Sequence, residues 1–311
     1  MNKLDTLDKR NSITLKDAFQ EFLVSQNAKG IKEKTLRTYR SHYAAAAKHL
    51  DMSLSFSQLT KRHLDEMIVS MRASGLAHNS ISSYVRVMKT FLSWCGEQNY
   101  STLSLPNFKQ VETVKEVYTD EELEKLLKRP AANALFCEYR NWVIINFLLN
   151  CGCRASTIRN IQIRDVNLEE HQVLFRHTKN GRLQVLPLCS RMVNILREYI
   201  DVRGGANNDY LFCDAYGDML TENGLRLAIT RYNKSRGVSK TSLHLFRHTF
   251  ARKYLVDCGG DAFTLQKLLG HSTLKMTRHY CAIYDTDIVN NFDRLSPLSQ
   301  FSPPKEKLRR R

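Results

Sequence analysis

Apolar residues recur along the first third of the chain at three- and four-residue steps, the spacing that aligns one face of an α-helix. In residues 14–29, Phe19, Phe22 and Leu23 share such a face, and Thr14 with Asp17 supplies a start signal. A second helix is predicted after Gly30, from about Lys34 to Leu50. Its early turns carry Lys34, Arg37 and Arg40 three apart, beside Tyr39 and Tyr43, so one side reads as basic and wet and the other as packed. Leu59–Arg72 and Asn79–Gly96 repeat the period, the latter through Ile81, Tyr84, Val85, Met88, Phe91 and Leu92. These helices predict an all-helical N-terminal domain over residues 14–100, after a flexible N-terminus (1–13). Tyr100–Thr119 holds Pro106, several polar residues and little periodicity, and reads as a linker, bounded at 101–118.

The pattern then changes. Thr119-Asp120-Glu121-Glu122-Leu123 is a helix start with acids in the first turn, where they complement the helix dipole. Asn141–Asn150 is strongly apolar and is predicted as a buried helix. Ile161–Val166, Gln172–Phe175 and Leu183–Leu188 are short β-like runs, and the last two flank His177-Thr178-Lys179-Asn180-Gly181-Arg182. Asn-Gly tolerates positive φ at both positions and is the strongest local hairpin signal, which places Lys179 at or beside a hairpin tip. Helices follow at Ser190–Tyr199, Glu222–Ser235, Ser242–Cys258 and Ala262–Leu269. Gly259-Gly260 breaks the chain, Gly270 ends the short helix, and Ser272 or Thr273 can cap the next, which carries Tyr280. The expected fold is therefore two-domain: a helical N-terminal domain, and a mainly helical α+β domain over 119–295 with a small β-sheet, followed by a basic tail, 296–311.

Charge changes the picture more than size does. Lys and Arg number 47 against 31 Asp and Glu in 311 residues, a formal +16. Such an excess favours a polyanionic partner, since basic side chains displace counterions condensed on phosphates; it does not choose among DNA, RNA and anionic lipid. No stretch approaches the roughly 20 apolar residues of a spanning helix, and Met1–Asn11 has no apolar core for a secretory signal. Eight cysteines, of which only Cys151 and Cys153 lie close, lack a zinc-site pattern. They read as mostly buried free thiols of a cytoplasmic protein.

Candidate chemistry begins at His244-Leu-Phe-Arg247-His248. One helical turn separates His244 from Arg247, so the guanidinium can grip a phosphate while the imidazole adds a hydrogen bond. Alone, such a pair is more often structural. Leu268-Leu-Gly270-His271 stands nine residues ahead of Tyr280. Nine helical residues turn through about 900°, which would put the two side chains on opposite faces. They converge only if His271 precedes the helix, in the turn made by Gly270. His279 and Tyr284 are neighbouring polar alternatives.

Taken together, Arg154 in Asn150-Cys-Gly-Cys-Arg154, Lys179 by the Asn-Gly turn, His244 with Arg247, His271 after Leu-Leu-Gly, and Tyr280 resemble the tyrosine recombinase (phage-type integrase) family over roughly residues 14–290. The chain is similar to the simpler members, which have no separate arm-site domain. The resemblance implies a core-binding domain followed by a catalytic one, clamped on duplex DNA about the linker. Tyr280 is the implied nucleophile of a 3′-phosphotyrosyl link, Arg154 and Arg247 the phosphate clamps, Lys179 the general acid, and His244 and His271 phosphate ligands that assist proton movement. No cofactor or metal is expected, because the arginines fill the electrostatic role of metal ions in many nucleases. The implied partners are duplex DNA with short inverted arms and a homo-tetramer on two sites, with room for an accessory directionality protein or a partner recombinase; no membrane is implied. Lys34, Arg37 and Arg40, and more weakly Arg226 and Arg231, are the DNA-contact candidates. The terminal residues 286–311 either dock on a neighbouring subunit or form a solvated tail.

One departure stands out: the family commonly has an acid three residues after the first arginine, and this chain has Thr157. A neutral hydroxyl there alters site geometry or leaves another acid to substitute. The competing readings are a non-catalytic DNA-binding protein and a type IB-like topoisomerase. Among recombinases, a mobile-element integrase or transposase is favoured over a resolver of chromosome or plasmid multimers.

Overall fold

In the computed structural model, which describes residues 12–106, 108, 116–177 and 181–278, the first cap expected from sequence is formed. The Thr14 hydroxyl accepts the Asp17 N–H at 3.1 Å and opens α1 (Leu15–Ala28). The next two N–H groups, of Leu15 and Lys16, donate to the carbonyls of Leu54 and Met52, so a returning loop satisfies donors that a helix start leaves unpaired. That return explains why α2 (Glu33–Ala46) stops short of the expected Leu50. Lys48 and His49 close tighter turns onto Ala45 and Ala46, and the chain doubles back. Helices α3 (Lys61–Ala73) and α4 (His78–Glu97) complete this unit, Met1–Val114.

Its core is aromatic. Phe19 stacks on Tyr43 with ring centroids 3.7 Å apart, and Phe91 meets Phe19, Phe22 and Tyr43 edge-on. Edge and offset contacts are the favoured geometries of such rings. Two of its rings spend their polar tips on α1: the Trp94 indole donates to Ser25 and the Tyr100 hydroxyl to Glu21. Tyr100 and Leu105 are buried in this core, so the start of the stretch read as linker is packed.

In the second unit, Lys115–Arg311, Thr119 and Glu122 form the reciprocal cap that starts α5 (Asp120–Leu127). The next helix, α6 (Phe136–Cys151), is buried without interruption from Arg140 to Leu148 and packs against α5, α8 (Ser190–Arg203), α9 (Glu222–Ser235) and α10 (Leu243–Leu255). A helix apolar all round belongs inside. It starts a turn before the predicted Asn141, and its buried polar groups are satisfied: Arg140 donates to the Cys213 carbonyl and Asn146 to that of Trp142. The short helix α7 (Ala155–Ile158) follows.

Three antiparallel strands, β1 (Val166–Asn167), β2 (Gln172–Phe175) and β3 (Gln184–Pro187), form the sheet in sequence order. The stretch predicted as a strand from Ile161 is instead a single bridge at Gln162 and a 3-10 turn over Ile163–Asp165. There the buried Asp165 carboxylate accepts both the Gln162 N–H and the Arg176 guanidinium. β2 pairs with β3 from Gln172↔Pro187 to Phe175↔Gln184. Residues 176–183 join them; Gly181 has φ +69°, while 178–180 fall outside the described residues. Helices α11 (Ala262–Leu269) and α12 (Leu274–Arg278) end the described chain; α10 stops at Leu255, ahead of the expected Cys258. No helix among the described residues is long and apolar enough to cross a membrane. Of the seven described cysteines, Cys95, Cys151, Cys153 and Cys213 are buried, while Cys137, Cys189 and Cys258 are exposed, so burial is less general than expected.

The entry into this unit is fastened to α10 and to the segment after α9. The Tyr118 backbone N–H donates to the Thr249 hydroxyl; its phenol donates to the Lys240 carbonyl at 3.2 Å and accepts from Asn233 at 3.0 Å. Burial pushes this phenol above its ordinary pKa, so it stays a donor at all working pH. Tyr118→Phe conserves volume but removes both bonds, and should lower unfolding free energy by about 1–2 kcal/mol, read as a lower urea midpoint at unchanged slope.

Candidate active site

Four segments from separate parts of the second unit meet at one buried guanidinium. α6 ends because Gly152 takes the left-handed conformation, φ +56°, and its N–H closes onto the Leu148 carbonyl. The turn brings Gly152 against α10, where a Cβ would lie 2.3 Å from the Phe250 ring. Only glycine satisfies both the φ and the approach. The carbonyl of the buried Gly152 accepts Arg247 Nη1 at 2.9 Å, while Arg247 Nη2 reaches the Leu269 carbonyl at 2.9 Å and His271 Nε2 at 2.8 Å. Arg247 is 3% exposed. Two residues beyond Gly152, Arg154 sits half-buried at the start of α7 in extended conformation.

His271 lies in the turn ahead of α12, where Gly270 (φ +61°) ends α11. Its N–H donates to the Gln266 carbonyl and its Nδ1 is 2.9 Å from the buried Thr277 hydroxyl. A guanidinium has no acceptor, so Nε2 accepts from Arg247. A neutral ring then carries its proton on Nδ1 and donates it to Thr277. In this arrangement His271 supports Arg247 first, a role the expectation of a phosphate ligand did not include.

A cleft of about 520 Å³ opens on this cluster. Arg154, Arg247 and His271 line it with Cys153, Thr157, Arg182 and Lys267, and no Asp or Glu is among the described residues of its wall. Thr157 is buried there, and no acid takes over the position it leaves neutral. Cys153 is no rival nucleophile: burial pushes its thiol up to about 12 against the lowering influence of Arg247 and Arg154, so it is protonated at neutral pH. A concave, cation-lined wall with buried donors suits an anion such as a phosphodiester.

The structure thus gathers Arg154, Arg247 and His271. It leaves His244 exposed on the first turn of α10, outside the cleft wall. Lys179 and Tyr280 lie outside the described residues. Of the DNA-contact candidates, Lys34, Arg37 and Arg40 are on the exposed face of α2, where Glu33 pairs with both arginines, at 3.5 and 3.0 Å; Arg226 and Arg231 are exposed on α9. Arg182, Lys267, Gln184 and Thr277 were not singled out from sequence. Arg182 follows the Asn-Gly pair directly and Lys267 precedes Leu-Leu-Gly-His, which are the available signals; the other two are found only through their partners.

Comparison with known proteins gives a match to the Phage integrase family over residues 116–287 and to the Phage integrase SAM-like domain over residues 14–108. The tyrosine recombinase XerA of Pyrococcus horikoshii is 26% identical over 89% of this chain and 93% of its own length. Among solved structures, the Tn1549 transposon integrase in complex with circular intermediate DNA superposes with TM-score 0.72 at 19% identity, covering 91% of this chain and 100% of that one. A lambda integrase tetramer bound to a Holliday junction gives 0.71 at 17%, covering 90% and 80%. At these identities the structural likeness establishes the fold.

Gly152→Ala adds both left-handed strain and a clash with Phe250. It should cost about 2–4 kcal/mol in denaturant unfolding and, by shifting the Gly152 carbonyl, depress whatever phosphate chemistry Arg247 supports.

Proposed function

The chain belongs to the phage integrase family of tyrosine recombinases, and on that premise we propose that the cleft around Arg247 holds the scissile phosphate while Tyr280 attacks it. Cutting and rejoining DNA is the family's chemistry; the assignment of roles to residues is the proposal. What carries it is the meeting of Arg154, Arg247 and His271 on one carboxylate-free wall within the matched segment.

A guanidinium has five N–H donors. Three of Arg247's are committed to Gly152, Leu269 and His271, which leaves two for non-bridging oxygens. Arg154 supplies a second cation at the cleft, and charge that develops on the phosphorane is stabilised by donors already in place. The Tyr280 oxygen attacks phosphorus and loses its proton as the P–O bond to the 5′ carbon's oxygen breaks. Lys179 donates a proton to that leaving oxygen. The product is a 3′-phosphotyrosine and a free 5′-hydroxyl; attack by a 5′-hydroxyl of the partner duplex reverses the step and restores the phosphodiester. The bond count is conserved, so no nucleotide hydrolysis is required. His244 assists proton movement from the α10 side once DNA covers that helix turn. Lys34, Arg37 and Arg40 on α2 and Arg226 and Arg231 on α9 hold phosphates of the arms. A tetramer on two sites, as in the lambda integrase complex with a Holliday junction, supplies two rounds of exchange.

For biological role we favour integration or excision of a mobile element, a reading supported by the fold shared with the Tn1549 transposon integrase. The relatives named Xer recombinases favour the second reading, resolution of chromosome or plasmid multimers.

On a nicked suicide substrate, wild type should form a covalent protein–DNA adduct, and Tyr280→Phe should bind the same DNA with unchanged affinity and form none. Adduct formation by Tyr280→Phe, or its absence with wild type on its cognate site, would overturn the assignment. The two biological readings separate by sequencing: a mobile-element enzyme should yield a circular junction of the DNA flanking its own gene, and a multimer resolver should instead raise plasmid or chromosome dimers when deleted.

A further inference from the structure

The C-terminus of α11 presents three successive carbonyls, of Lys267, Leu268 and Leu269, at a helix end that leaves such groups short of intrahelical partners; the Gly270 N–H meets that of Lys267 at 3.0 Å. Arg247 takes the third. The first two are taken from the opposite side by one side chain: Gln184 Nε2 donates to the Lys267 carbonyl at 2.7 Å and to that of Leu268 at 3.0 Å. Gln184 is the first residue of β3, paired across to Phe175, at the root of the loop that contains Lys179. It shares its strand face with the buried Leu186 and lines the cleft. Its amide oxygen lies where a Cβ on Gly270 would stand, 2.8 Å away. The amide is thus laid across the turn that separates Leu269 from His271.

From this geometry we infer that Gln184 is a positioning residue for strand cleavage: it fixes the α11 turn that sets Arg247 and His271, and ties that turn to the lysine-bearing hairpin. The inference rests on the reading of the cleft as the phosphate site. Gln184 touches neither guanidinium nor imidazole, and acts through backbone. The Leu269 carbonyl holds Arg247 Nη2, and the next residues place His271 Nε2 against the same nitrogen. Were the amide removed, the Leu268 carbonyl would lose the Gln184 donor, the Lys267 carbonyl would keep only the Gly270 N–H, and the turn would relax toward water. The guanidinium would then follow Leu269. Displacements of about an ångström at a reacting group cost about a hundredfold in rate.

A carboxylate at position 184 provides the discriminating readout. Ionised, it has no proton to give and faces two carbonyl oxygens. The two carbonyls at hydrogen-bond distance raise its pKa, against the lowering influence of Arg154, Arg182, Arg247 and Lys267 on the same wall; once protonated, the acid O–H donates to one carbonyl. Glutamine does not titrate, so the ratio of Gln184→Glu to wild-type activity reports this one proton.

The test is single-turnover cleavage of a suicide substrate by full-length Gln184→Leu, Gln184→Glu and wild type between about pH 8 and pH 5.5, with site-DNA affinity measured alongside. Gln184→Leu should bind DNA as wild type does and cleave about a hundredfold more slowly, with a ratio to wild type flat in pH. Gln184→Glu should be as slow at the alkaline end and recover about tenfold relative to wild type as pH falls. Cleavage by Gln184→Leu at the wild-type rate, or a pH-flat ratio for Gln184→Glu, would sink the inference. If the leucine variant does not fold, the glutamate ratio still decides. Wild type forming its Tyr280-dependent adduct in the same assay keeps this failure distinct from failure of the recombinase reading.

Discussion

The second unit is organised around a cation taken out of water. Removing a guanidinium from solvent is costly unless its donors are met. Arg247 is met by the Gly152 carbonyl at the end of α6, by the Leu269 carbonyl at the end of α11, and by His271 in the following turn. Each partner is a group that helix termination makes available, so the way two helices stop is what makes the site. Gly152 and Gly270 both take positive φ at those stops, and both are closely approached, by the Phe250 ring and by the Gln184 amide. Among the described residues the charge is paired only by dipoles. It therefore remains uncompensated toward the cleft, where Arg154, Arg182 and Lys267 add to it.

That imbalance gives Thr157 its meaning. An acid on α7 would have offset part of the positive field; here a neutral side chain is buried instead, and no carboxylate of the described wall replaces it. On the proposed reading of the cleft, the phosphate itself is the counter-charge. Folding tolerates this because the scaffold beneath is largely apolar: α6 is buried from Arg140 to Leu148 among four other helices, and it holds the Asn150–Arg154 turn in place. The family's reaction needs the same property, since donors fixed before the substrate arrives lose little by reorganising.

The first unit shows a different division of labour. Its interior is a cluster of rings from α1, α2 and α4, and α2 turns Leu36 and Tyr43 inward while Lys34, Arg37 and Arg40 face outward. Glu33 pairs with both arginines, so a phosphate binding there competes with an exposed carboxylate, a modest obstacle at surface dielectric.

Much of this was legible in residue order. The helical period of Phe19, Phe22 and Leu23, the Thr119–Glu122 cap and the strongly apolar Asn141–Asn150 run report local preferences, and local preferences survive folding. The family was legible too, because its chemistry demands particular residue types in a fixed order. Other features had no local signal. The Ile161–Val166 run alternates like a strand but becomes a 3-10 turn, because the Asp165 carboxylate binds a backbone N–H and Arg176. α2 stops early because the returning chain must reach the first N–H groups of α1. The pairing of His271 with Arg247, the exposure of His244, and the amide of Gln184 laid over Gly270 join residues far apart in the chain. Sequence by itself determined which side chains carry charge and which faces are greasy; only tertiary packing decided which backbone carbonyls lie within reach of a buried guanidinium, since that depends on where several helices end relative to one another.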